Sequence, residues 1–376
     1  MKLIHPFLWT LALVNLSLLQ AWAASDTIAP TSEALTFART TIGGETHVIG
    51  VTNAASNQVS GVNLSAQLNR PGQDPVTLFN ELGYSALADA IENASPENRV
   101  TVAEQDLGIP VNLADSHIAA GTNFRAHAEE STYEGGPFLF AKEVTPTNPF
   151  SSVSVGEALL DHEIELGFVT LIDKQLGEPA NTMGLILTND FTDRDVLLRS
   201  VDPNDIGSGH GFTSGKSAPG YLPVGTFFVI PQNLQSFVSN ITLDLKVNGS
   251  TRQHAEMSLA IWDIEKILEE TKARKSLVWT FQGRAVSLPT RDGYIPARTI
   301  VISGTPAGTI FSGPSAGDIV SGTIDWLFGG WSEPVTAHVL ENYIARAHDE
   351  KLYLQPGDVV HIKANRLGII ETPVTE

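Results

Sequence analysis

The residues best suited to chemistry sit in a few short stretches of the chain. Asp161-His162-Glu163-Ile164-Glu165-Leu166 places two carboxylates one residue apart, directly before the apolar run LGFVTL. Alternate residues of a strand share a face, so Glu163 and Glu165 would stand side by side. Such a pair repels and is costly to desolvate, and a cation bound between the two removes that cost. Hard oxygen ligands suit Mg2+, Mn2+ or Ca2+. A solvated strand face would show the same spacing. In Thr188-Asn189-Asp190-Phe191-Thr192-Asp193-Arg194-Asp195, Asp190 follows an apolar strand and falls at its end, where it could supply a third carboxylate. Arg194 could bridge Asp193 or Asp195, or hold the carboxylates in place; an exposed charged turn is the alternative.

Proton transfer has its own candidates. In GTNFRAHAEE, residues 121–130, His127 and Glu130 lie three apart and so adjacent on one face of a helical turn. A carboxylate beside an imidazole orients it and raises its basicity, which is how a general base for water is built. A pair on a helix surface is the plainer reading. Lys216, in Ser214-Gly215-Lys216-Ser217, precedes a Gly/Pro-rich loop and could reach an anionic substrate or simply face solvent. It is not a phosphate-binding loop, because the G-x-x-x-x-G-K spacing is missing. Ser303-Gly304-Thr305-Pro306-Ala307-Gly308 is a turn after a strand, able to offer N–H donors and the Thr305 hydroxyl to a carboxylate, or to act as an ordinary tight turn.

Strands must position most of these groups. Short β-like runs bounded by Gly, Pro and Asn recur at residues 34–41, 46–51, 163–171, 184–187, 226–230, 299–303 and 358–364. Residues 237–247, FVSNITLDLKV, read as one long strand ending in Asn248-Gly249. Helices are expected over 76–93 and, from apolar residues at helical spacing, over 258–275. Few helices and no βαβ alternation predict a β-rich α+β fold.

Bulk properties narrow the partners. A formal charge of −19 leaves nothing to neutralise a run of phosphates, which argues against nucleic acid and against an anionic membrane surface. A local metal with a few Lys or Arg can still invert the field inside one cleft. The chain has no Cys, so thiol nucleophiles and Cys-ligated zinc are excluded. Residues 1–23 read as a signal peptide: Lys2, an apolar stretch from Phe7 to Leu19, then Ala21-Trp22-Ala23. A membrane anchor is the competing reading. Cleavage would make this an exported protein, periplasmic or secreted from a bacterium, with no membrane attachment afterwards.

In their order along the chain these stretches resemble the fumarylacetoacetate hydrolase family. GTNFRAHAEE is similar to the family's G-x-N-Y-x-x-H-x-x-E, HEIELGF to its E-x-E-L strand, and NDFTDRD to its N-D-x-(S/T)-x-R-D. GKSAPGYLPVG is similar to G-K-S-x-D-x-x-x-P-x-G and VISGTPAGT to the G-T-P-x-G turn, with VNGSTRQ and LQPGDVVHI matching two further stretches. The resemblance implies a rolled, mixed β-sheet catalytic domain over about 116–376, a smaller N-terminal segment over 24–115, and a homodimer. It assigns Glu163, Glu165 and Asp190 as ligands of Mg2+ (or Mn2+ or Ca2+). It makes His127 and Glu130 the water-activating pair, and Lys216, Arg194 and Thr305 contacts to a small anionic 2-oxo acid, with Lys216 also catalytic.

The implied activity is metal-dependent hydrolysis of a C–C bond in a 1,3-dicarbonyl acid of the acylpyruvate or fumarylpyruvate type. Isomerases, decarboxylases and (de)hydratases of 2-oxo or 2-hydroxy-dienoic acids share the same enolate chemistry. A non-catalytic exported binding protein is the third reading. Leu197 stands where many members carry Gln, and Pro219 where many carry Asp. An insertion at about 311–351 contains Trp326, Phe328 and Trp331, a possible hinge at Gly329-Gly330, and a helix over 335–348. It is expected to cap the cleft or extend a dimer contact, with the cap favoured; a packed surface excursion with no role is the alternative.

Overall fold

The computed structural model describes residues 28–131, 133–327 and 334–376. The expected signal peptide, and Phe328 to Trp331 of the insertion, lie outside the described residues. The centre of the molecule is a ten-stranded mixed sheet. The strand Ile164–Val169 runs through its middle, between Gly184–Asn189 and Ile300–Ile302, antiparallel to both. The one parallel step in this sheet joins Ile300–Ile302 to His117–Gly121.

Both faces of the sheet are covered, and side-chain alternation sorts its residues into two cores. Ile164, Leu166, Phe168, Leu185, Leu187, Phe227 and Val229 point to one side, where they meet Leu243, Leu245, Val360 and Ile362 of a second, five-stranded sheet. Val169, Ile186, Phe228 and Ile230 point to the other, against Val76, Leu78, Leu87 and Ile91 of the helix Pro75–Glu92. Asp74 caps that helix by accepting from Thr77 N at 2.9 Å, and Pro75 opens it. The fold is therefore the strand-rich α+β architecture expected.

The smaller N-terminal segment joins the central sheet directly: its strand Ala34–Ile42 pairs antiparallel with Val224–Pro231, so four N-terminal strands extend that sheet. The structure differs from the sequence expectations in two places. Residues 237–247 are not one strand: Leu234–Val238 is a helix capped by Asn233, and only Thr242–Val247 is extended. The helix expected from 258 begins later, at Ile264, where Asp263 accepts from Lys266 N at 2.8 Å, and runs to Arg274. In both cases an N-capping side chain decides where the helix starts, against the pull of hydrophobic pattern alone.

The insertion is a helical hairpin. Val335–Asp349 buries Tyr343, Ile344 and Ala347 against Leu159 and Tyr353. Ala316–Leu327 lies on that helix, and at their crossing Gly322 is so close that a Cβ would meet Val339 N at 2.4 Å. Arg346 ties the two helices through Asp318. The outer face of the first helix carries exposed Ile319, Val320, Ile324 and Leu327. Among the described residues no helix is long and apolar enough to cross a membrane.

One consequence for stability concerns His117, buried in the strand beside Ile300–Ile302. Its Nδ1 accepts the Ile300 N–H at 3.2 Å, so the imidazole is built in as a neutral group. Burial, then the nearby Lys142, push its pKa down to about 3. The unfolded chain binds a proton there below about 6.5 and the folded chain does not. Its contribution is full above that pH and falls as pH drops toward 3. His162 and His361 are also pushed down by burial and add in the same direction. The urea midpoint should therefore decrease steadily from pH 7 to 4.5, and His117→Gln, which keeps an acceptor for Ile300, should flatten that decline. An equally steep decline in the variant would remove His117 from the account.

Candidate metal centre and proton-transfer pair

Glu165 stands in the middle of the central strand, opposite Thr188 of the neighbouring one, and on the same side as Gly167. Gly167 leaves room there: a Cβ would fall 2.7 Å from Ile300 Cγ2 and 2.9 Å from Ile186 Cγ2. Glu163 precedes the strand, its N–H donating to Asn189 Oδ1 at 2.8 Å. Asp190 follows the neighbouring strand, its N–H donating to the Glu163 carbonyl at 2.8 Å. These local bonds bring three acids from two strands together, and one oxygen of each lies within 4.8 Å of the others. All three are at most 4% exposed.

Cations surround the triad. Lys216 Nζ donates to Glu163 Oε2 at 2.7 Å, to Asp190 Oδ2 at 3.0 Å and to Thr192 Oγ1 at 2.7 Å. Lys142, fully buried in the strand Phe138–Lys142, places its Nζ 2.5 Å from Asp190 Oδ1 and donates to the Lys216 carbonyl. Arg194 donates from Nε to Asp161 Oδ2 at 2.9 Å and from Nη2 to Glu163 Oε1 at 2.6 Å. Arg194 thus pairs with Asp161 and Glu163 rather than with Asp193 or Asp195. Asp193 instead caps the Arg194–Ser200 helix, and Asp195 pairs with Arg199 and His348.

The electrostatics divide the acids. Burial pushes Glu163 up, but Lys216 and Arg194 outweigh it and hold it below the ordinary carboxylate range. Glu165 has no such relief. Burial, and then the charges of Asp190 and Glu163, push it well above that range, against the nearby Lys216 and a donor from Gly304 N at 2.5 Å. Burial lowers Lys142, outweighing the pull of Asp190, whereas Asp190 and Glu163 keep Lys216 raised in spite of its burial. Counting Asp161, Glu163, Glu165 and Asp190 against Lys142, Lys216 and Arg194, the ionised cluster has one negative charge too many. A buried acid that cannot ionise comfortably, beside a Glu163 that Lys216 and Arg194 hold ionised, fits a site for a divalent cation, and the all-oxygen donor set fits Mg2+, Mn2+ or Ca2+.

The proton-transfer pair reaches the same place. The helix Arg125–Glu130 buries His127, whose Nδ1 lies 3.4 Å from Glu130 Oε2. His127 is near enough to Glu163 to help lower it. The Gly308 N–H in turn donates to both Glu130 oxygens, at 3.2 and 3.0 Å. Thr305 is also gathered here, but its hydroxyl is committed. It donates to the Ile164 carbonyl at 3.0 Å and accepts from Gln253 Nε2 at 2.8 Å, which pins the Gly304–Gly308 turn to the central strand. Leu197 packs over Gly215, where a Cβ would come within 2.7 Å of its own Cβ.

Sequence reasoning passed over Lys142 and Asp161. Lys142 closes the apolar run FLFAK, where a charge with no solvent to reach was the available signal. Asp161 sits two residues before Glu163, in step with the same alternation. Its Oδ1 accepts from the N–H of His162 and of Ile310, both at 2.9 Å.

The architecture is a known one. The solved fumarylacetoacetate hydrolase from the psychrophilic Exiguobacterium antarcticum superposes over 91% of this chain and 99% of its own, with a TM-score of 0.58 at 19% identity. The maleylpyruvate hydrolase of Sphingobium gives 0.55 at 18% identity over the same share of this chain and 99% of its own. At the level of sequence the chain belongs to the fumarylacetoacetate hydrolase family: residues 116–375 match the profile described as fumarylacetoacetate (FAA) hydrolase C-terminal. An oxaloacetate tautomerase of Schizosaccharomyces pombe is 25% identical over 222 residues, 56% of this chain and 89% of that protein. A 2,4-didehydro-3-deoxy-L-rhamnonate hydrolase of Sphingomonas is 26% identical over 200 residues, 50% of this chain and 66% of that protein. This superfamily is one of enzymes, with hydrolases, isomerases and tautomerases among its members.

Proposed function

We propose that this protein is a divalent-metal-dependent hydrolase that cleaves a C–C bond in a small 1,3-dicarbonyl 2-oxo acid of the acylpyruvate or fumarylpyruvate type. The observation that carries the reading is the convergence of the His127–Glu130 pair on the buried Glu163–Glu165–Asp190 triad. A cation held by the triad, when bound, supplies Lewis-acid polarisation and charge for a developing enolate. Glu130, fixed by the Gly308 N–H, orients His127 through Nδ1 and leaves the other ring nitrogen to take a proton from water. The hydroxide adds to the carbonyl remote from the carboxylate. The C–C bond then breaks toward the 2-oxo acid, and that fragment regains a proton. Water and an acylpyruvate thus give a carboxylic acid and pyruvate.

Lys216 bridges Glu163 and Asp190 and Lys142 pairs with Asp190, so the two lysines hold the cluster together around its ligand. Arg194 fixes Glu163 from the other side, and Phe311 at the start of the insertion stacks on Arg194 at 5.3 Å while meeting Tyr343 edge-on at 6.0 Å. The hairpin is thereby joined to the site through one aromatic residue. That contact supports a capping role in the proposal, and the dimer contact is the other.

A second reading is favoured by the tautomerase relatives: enol–keto interconversion of oxaloacetate without bond cleavage. The test is a panel of acetylpyruvate, fumarylpyruvate and oxaloacetate with added Mg2+ or Mn2+. Loss of the dicarbonyl absorbance with equimolar acid and pyruvate is the expected result. Fast oxaloacetate tautomerisation, with every acylpyruvate recovered intact, would replace hydrolysis by the second reading.

A further inference from the structure

Behind the Gly308 turn lies a cavity of about 610 Å³ bordered by two cations, Arg252 and Lys351. In a chain with 42 acidic and 23 basic side chains, neither of these two has an acidic partner among the described residues. The one acid on the cavity wall, Asp358, is already used. Its oxygens accept from Asn248 Nδ2 and from Gln355 N, both at 2.7 Å. The wall also holds His162, 0% exposed, whose Nε2 faces the Gly308 carbonyl at 3.3 Å and whose Nδ1 has no hydrogen-bond partner. Apolar patches from Val247, Leu352 and Leu354 complete it.

We infer that this cavity is a second ligand site, specific for a short-chain carboxylate. Its volume falls within the range of small-molecule pockets. A guanidinium fork matches a planar carboxylate in a bidentate fashion, and an ammonium beside it serves a second charge. The apolar patches suit a short carbon chain better than a bare inorganic anion. The site is distinct from the metal centre, because none of Glu163, Glu165 and Asp190 lines it.

The wall between the two sites is thin. The segment 308–311 lines the cavity with Gly308, Thr309 and Ile310. Three of its backbone amides serve the other side: Gly308 N donates to Glu130, Ile310 N to Asp161 Oδ1 at 2.9 Å and Phe311 N to Asp161 Oδ2 at 3.2 Å. Gly308, at φ +105°, sits so close to the strand carrying Arg252 that a Cβ would lie 1.9 Å from the Arg252 carbonyl oxygen. A carboxylate gripped by Arg252 therefore presses on the segment that holds Glu130 and Asp161. Occupancy is read at the proton-transfer pair.

The test is calorimetric titration of the full chain with malonate and, separately, with inorganic phosphate. It reads heat rather than turnover, so it stands or falls independently of the proposed hydrolysis. Malonate should bind one per chain, Arg252→Ala should weaken it at least about tenfold, and Glu165→Gln should leave it within about twofold. In hydrogen exchange, malonate should slow the amides of residues 308–311 in the parent and not in Arg252→Ala. Absence of malonate heat, equal binding by Arg252→Ala, or loss of binding in Glu165→Gln would each overturn the site. Phosphate binding as tightly as malonate would overturn its carboxylate specificity.

Discussion

Exhaustive chelation with EDTA abolishes turnover, Mg2+ or Mn2+ restores it, and Glu165→Gln behaves like the stripped enzyme while folding at least as well as the parent. The two halves of this expected result have opposite signs for one physical reason. Glu165 is the acid that the protein itself does not neutralise. Burial and its neighbours Asp190 and Glu163 disfavour its charge, and no cation is paired with it directly. Replacing it with Gln removes the surplus negative charge of the cluster. An amide oxygen stays in reach of the Gly304 N–H, and the pairing of Ile164–Val169 with its neighbours is untouched. Folding in the absence of metal should then gain or stay level, since an uncompensated buried charge is costly. Metal binding needs that same charge, so the variant should lose bound metal by elemental analysis and lose activity with it. Turnover that survives verified metal removal, or a Glu165→Gln protein that melts well below the metal-free parent, would contradict the assignment.

Much of this site was legible in the sequence because its acids obey a local rule. Glu163 and Glu165 share a face through the two-residue period of a strand, and Asp190 ends an apolar run, so all three could be placed before any contact was known. What joins them could not. Lys142, Lys216 and Arg194 reach the triad from three separate elements. Only the pairing of Ile164–Val169 with Gly184–Asn189 brings Glu163 and Asp190 together so that Lys216 lies between them. Thr305 was legible as a turn residue, but its commitment to Ile164 and Gln253 depends on strands far apart in the chain. In the insertion, the helix Val335–Asp349 follows its hydrophobic spacing. Ala316–Leu327 does not announce itself: two glycines and a run of β-branched residues lower its propensity, and Gly322 repays that only through its close approach to Val339. The capping residues Asn233 and Asp263 mark the true helix starts, which hydrophobic pattern alone does not reveal.

His127→Ala should lower hydrolysis by about 10²–10⁴-fold, the usual cost of losing a general base, with metal content close to that of the parent. His127 is 7% exposed on the short helix Arg125–Glu130, and among the described residues its ring pairs with Glu130. None of its ring contacts is a bond to Glu163, Glu165 or Asp190; it acts on the triad through the field it adds at Glu163. Removing it therefore takes away the proton acceptor and leaves the ligand oxygens where they are. Glu130→Gln should cost less, because the amide still accepts from the Gly308 N–H and still holds the imidazole. The order of the two variants is what separates a water-activating pair from a structural one. If His127→Ala hydrolyses acylpyruvates at the parent rate with its metal retained, water is activated elsewhere, and the tautomerase reading gains. If both variants lose metal together with activity, the pair belongs to the scaffold of the triad and not to the chemistry.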